Sequence, residues 1–134
     1  MDAALRNAVW QRAKARCEYC RMPQQFDRTT FEVEHIIAEK HGGPTMLENL
    51  ALACFFCNRY KGPNISGLDP HTSQLTPLYD PRGDDWSAHF AWDGPVLQGL
   101  TPQGRVTIAV LRINDPPRVM HRSLLIASGD FSGD

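Results

Sequence analysis

Two matched cysteine pairs, Cys17-x-x-Cys20 and Cys54-x-x-Cys57, constrain this 134-residue chain more than any other feature. A two-residue gap lets both sulfurs of a pair turn toward one point. Two such pairs supply the four soft ligands of a tetrahedral ion. The 33 residues between Cys20 and Cys54 exceed what a compact zinc ribbon needs, so a sizeable segment must be looped out between the knuckles. The N-terminus lacks the apolar run of a signal peptide, and no stretch approaches the ~20 apolar residues of a membrane span. A cytoplasmic chain with no membrane segment is expected, and there thiols stay reduced. The four cysteines then read as one structural Zn²⁺ site rather than two disulfides, with redox chemistry as a weaker option.

Hydrophobic residues make up 42% and charged residues 22% of the chain, as in an ordinary globular protein of one domain. The net charge of −1 gives no general affinity for nucleic acid. The charge is uneven, however. Residues 1–68 carry nine Lys/Arg against seven Asp/Glu, and residues 69–134 carry five against eight.

Periodicity predicts a helix over 3–16, with Leu5, Ala8, Val9 and Ala13 on one side and Asp2 as cap. Phe31–Ile37 reads as a strand, Glu39–Thr45 as a turn-rich loop, and Leu50–Ala53 as a second strand. Phe55 to Lys61 reads as a helix stopped by Gly62-Pro63. Cys54, Cys57, Asn58 and Lys61 then fall at i, i+3, i+4 and i+7, on one face. Residues 63–83 are rich in turn formers and read as a connecting loop. A hairpin over 91–98, a helix over 102–114 capped by Thr101, and a last helix over 117–127 follow, with Trp86, Phe90 and Trp92 as core bulk. Residues 128–134 are expected to fray. The boundaries are a core at 15–68, a packing extension at 69–127 and a tail at 128–134, within one domain spanning 1–134.

Three polar residues sit against this frame. Glu34-His35 closes the first strand, and Asn58 follows Cys57 directly. A neutral imidazole is a suitable base near pH 7. One carboxylate and one amide oxygen suffice for Mg²⁺, which takes few protein ligands and keeps several waters. Together they make a minimal one-metal hydrolytic site. In an ideal strand Glu34 and His35 point to opposite faces, so the strand must end or distort there.

Glu34-His35, Asn49-Leu50 and Cys57-Asn58-x-x-Lys61, set inside the two cysteine pairs, resemble the HNH endonucleases. The segments Pro77–Arg82, Trp86–Trp92 and Gly99–Arg105 resemble the C-terminal extension of small bacterial members. The resemblance implies an α+β fold with a ββα-metal core, stapled by a four-cysteine zinc site and flanked by an N-terminal helix and a helical C-terminal extension. It implies His35 as general base, and Glu34 and Asn58 as ligands of catalytic Mg²⁺ or Mn²⁺. Asn49 would brace the loop, and Cys17, Cys20, Cys54 and Cys57 would bind structural zinc. Arg59, Lys61 and His41 are candidate substrate contacts. DNA is the expected partner, with RNA and the oligomeric state left open. The other reading is a zinc-stapled nucleic-acid-binding module that does not cut.

Overall fold

The computed structural model describes all 134 residues. The fold is α+β, with five helices and three two-stranded antiparallel sheets. Helix α1 spans Ala3–Ala13 and is capped by the Asp2 carboxylate, which accepts from Leu5 N at 2.7 Å. It stops before the predicted 16 because Lys14 and Ala15 both turn left-handed, at φ 55°. That turn redirects the chain into the Cys17–Cys20 knuckle, which is closed by Cys17 N donating to Met22 O at 2.9 Å.

Strand β1 is Glu32–His35 and strand β2 is Leu50–Ala53. They pair in register, Glu34 with Ala51 and His35 with Leu50. β1 is shorter than predicted because Asn49, not a strand partner, receives its end. Ile36 N donates to Asn49 O at 2.8 Å, and Ile37 N donates to the Asn49 side chain at 3.0 Å. All four β2 residues are buried, with α1 against the sheet. Helix α2, Phe55–Lys61, follows at once, with Cys54 as its N-cap. The unit β1-β2-α2 is the ββα core.

The segment 63–83 is more ordered than its composition suggested. Ser66–Leu68 (β3) and Leu75–Pro77 (β4) form a hairpin. Asp69 closes it by accepting from His71 N and Thr72 Oγ1. A short helix, α3 (Trp86–His89), precedes the hairpin β5 (Phe90–Asp93) and β6 (Val96–Gly99). Helix α4, Pro102–Leu111, has the predicted Thr101 cap, 3.0 Å from Gly104 N. It ends short of 114 because Arg112 turns left-handed, and Ile113 is fully buried. Helix α5 is Pro116–Ala127.

One buried cluster joins the two halves: Tyr19, Phe31, Leu50 and Leu52 share it with Val106, Leu111 and Ile113. The tail is not frayed. Phe131 is buried edge-on against Trp92, and Trp92 Nε1 donates to Gly133 O at 3.2 Å. No helix is long and apolar enough to cross a membrane.

Candidate metal and catalytic centre

The four cysteines converge. Cys17, Cys20, Cys54 and Cys57 are buried, and their Sγ atoms all lie within 4.8 Å of one another. Cys20 Sγ and Cys54 Sγ are 3.7 Å apart, beyond any disulfide. A tetrahedron with Zn–S near 2.3 Å puts sulfurs about 3.8 Å apart, so the thiols fit a closed structural zinc. The two knuckles reach one point because each folds its own backbone onto its first sulfur: Cys20 N lies 3.5 Å from Cys17 Sγ and Cys57 N 3.4 Å from Cys54 Sγ.

A cation from outside the motif joins them. Arg118, on α5, places Nη2 at 3.1 Å from Cys57 Sγ and 3.7 Å from Cys54 Sγ, while Nη1 holds Leu111 O at 2.7 Å. Burial alone would disfavour the guanidinium charge. The surrounding thiolates outweigh it and hold the Arg118 pKa above the usual arginine value. Hydrogen bonds from Cys17, Cys54 and Cys57 hold the Cys20 thiol well below its ordinary pKa, whereas burial pushes Cys17 well up.

The second centre opens beside the first, on the far end of β1. Glu34, His35 and Asn58 line one open cleft of ≈ 510 Å³, together with Glu39 and Phe55. The strand resolves the two-face problem by ending at His35: Glu34 is 7% exposed, while the His35 side chain remains partly open. The Glu34 Oε1 atom is buried without a hydrogen-bond partner, as is the neighbouring Tyr19 hydroxyl. Burial pushes the Glu34 carboxyl up to about 7, against the pull of the Lys61 ammonium and the Tyr19 hydroxyl. Those two groups offset the burial only in part, and a divalent ion at the carboxylate would favour its charged form.

His35 Nε2 lies 2.8 Å from Thr45 Oγ1 and 3.7 Å from Glu39 Oε1. Neither partner was foreseen, because only the folded loop brings residues 39 and 45 back to the end of β1. Asn49 braces that loop, donating to Ile37 O at 3.0 Å and to Pro44 O at 2.9 Å. Gly43 is required there, since a Cβ would collide with the Ile37 carbonyl.

Lys61 departs from expectation. It is 1% exposed, and its ammonium donates to Ile36 O at 2.8 Å and His35 O at 3.4 Å. Consumed by these carbonyls, it is out of reach of a phosphate. Arg59 is exposed on α2, and His41 is exposed on the 39–41 turn without lining the cleft.

Residues 17–64 match the family model described as HNH endonuclease. This segment is similar to the HNH endonuclease domain. The match spans both cysteine pairs and the whole ββα unit. The chain is also 27% identical over 124 residues to the Septu protein PtuB of Bacillus thuringiensis, an alignment covering 90% of this chain and 45% of that protein. The chain thus spans under half the length of this curated relative. No solved structure matches it. Together the HNH match and the clustered thiols support a nuclease-type function carried on a zinc-suited frame.

Proposed function

We propose that the chain is a metal-dependent endonuclease that hydrolyses phosphodiester bonds of DNA, with His35 as general base. The observation that carries the reading is the shared cleft, which Glu34, His35 and Asn58 line together.

Glu34 and Asn58 would hold Mg²⁺ or Mn²⁺, which when bound neutralises phosphate charge and stabilises the leaving oxygen. His35 takes the proton of the attacking water. In the tautomer whose Nε2–H is donated to Thr45 Oγ1, Nδ1 carries the lone pair that accepts it. Glu39, 3.7 Å from Nε2, steadies the imidazolium that forms. Asn49 positions the loop that carries Thr45, and Lys61 pins the end of β1 through two carbonyls. The closed thiol site has no open position and serves structure. Arg118 reaching that site from α5 supports treating 15–68 and 69–127 as one folded unit.

The test is digestion of supercoiled plasmid by zinc-loaded protein with and without Mg²⁺ or Mn²⁺. Metal-dependent nicking or linearisation is expected. A folded, zinc-loaded protein that leaves plasmid, single-stranded DNA and RNA intact would favour a binding module instead.

A further inference from the structure

A second concavity of ≈ 480 Å³ adjoins the cleft, walled by Phe26, Arg28, Phe55, Phe56 and His121. Phe55 belongs to both walls, so the two spaces flank one ring. Phe55 and Phe56 open α2, three and two residues ahead of Asn58, yet they are 40% and 39% exposed. Large apolar rings left in water on the helix that carries the site need a reason.

The rings are also held rigid. Phe55 and Phe56 meet edge to face with centroids 5.4 Å apart, and Phe56 lies near-parallel to Tyr60 at 12°. The buried Arg118 guanidinium supports Phe56 from 5.5 Å. Positive charge is interleaved: Arg28 lines the concavity, and the Arg59 guanidinium sits 6.0 Å from the Phe55 centroid. The one acid in the wall, Asp27, has its Oδ1 held by Thr29 N at 3.1 Å and Thr29 Oγ1 at 3.0 Å.

Fixed aromatic faces beside cations bind nucleic acid by stacking unpaired bases while the cations meet the backbone. A paired base inside a duplex has both faces covered by its neighbours and cannot stack on a protein ring. We propose that the substrate is single-stranded at the cut, with the base next to the scissile phosphate stacked on Phe55, which Phe56 braces edge to face. This deepens the nuclease reading and rests on it. Here Arg59 is the backbone contact on the aromatic side of the cleft.

The test uses the full chain, zinc-loaded, with His35→Ala to keep substrate uncut. Binding is measured at fixed salt for short oligodeoxynucleotides and oligoribonucleotides containing 2-aminopurine, and for the duplex of the same sequence. Single strands should bind more tightly than duplex. Phe55→Ala and Phe56→Ala should each weaken single-strand binding about tenfold with duplex binding unchanged. Phe55→Tyr should retain it, and zinc content should not move in any variant. Whichever sugar binds more tightly names DNA or RNA. Duplex binding as tight as single-strand binding, no single-strand binding, or indifference to both alanine variants would overturn the proposal. With His35 restored, single-strand cleavage untouched by Phe55→Ala and Phe56→Ala would sink the stacking platform and leave the nuclease. Stacking without cleavage of any strand by the wild type would do the reverse.

Discussion

Arg118 Nη2 and Cys57 Sγ lie 3.1 Å apart, joining the last helix of the chain to the sulfur that precedes Asn58. Four thiolates around Zn²⁺ leave a net charge near −2, and burying that charge uncompensated is expensive. Arg118 offsets part of it and in the same stroke satisfies Leu111 O and Arg112 O. Removing one partner of a buried charged contact typically costs about 3–5 kcal/mol. Arg118→Met should lower thermal stability and speed zinc transfer to a chromogenic chelator, with Arg118→Lys intermediate. Zinc release at the wild-type rate in Arg118→Met would show that α5 does not support the site.

Asn49 bridges the end of β1 and the loop through three hydrogen bonds, to Ile37 N, Ile37 O and Pro44 O. Asn49→Ala leaves these backbone groups without partners, each costing about 1–3 kcal/mol where water cannot reach. Because Thr45 sits on the same loop, cleavage should fall more steeply than stability. Comparing turnover with melting temperature separates the two, and a drop in melting temperature with unchanged turnover would remove Asn49 from the account.

The Asp69 carboxylate is enclosed by Arg105 Nε at 3.0 Å and Nη2 at 2.8 Å. Hydrogen bonds from Arg105 hold its pKa well below the ordinary carboxylate value. A depressed folded-state pKa means stabilisation that is present above the unfolded pKa of about 3.9 and lost as pH falls through the lower native value. Asp69→Asn should therefore melt below wild type at pH 7, and the gap should narrow as pH drops below about 4. A constant gap from pH 7 to pH 3 would contradict this.

The ββα unit was legible because its signals are local. Gly62-Pro63 ends α2 at the predicted residue, and the apolar run 50–53 is β2 as read. The shared cleft of Glu34, His35 and Asn58 followed from a motif whose spacing encodes its geometry. What escaped depends on distant chain. Lys61 read as a candidate substrate contact, and only the approach of Ile36 O shows it is spent inside. Nothing in the sequence singled out Arg118 and Arg122, yet both are buried, while Met120 and Leu124 face solvent. The β3–β4 hairpin hid behind turn formers, because its strands are three residues long and held by Asp69 and α4 rather than by their own apolar pattern. The tail was misjudged for a similar reason: Phe131 packs against Trp92, a partner far away in sequence.

The most direct measurement is cleavage by wild type and His35→Ala side by side, each folded and zinc-loaded, on single-stranded and supercoiled DNA with Mg²⁺ or Mn²⁺. Loss of a positioned general base typically costs about 10²–10⁴-fold. The account predicts metal-dependent cleavage by wild type and a loss of that size in His35→Ala, with zinc content and melting temperature unchanged. Cleavage by His35→Ala at the wild-type rate would contradict it.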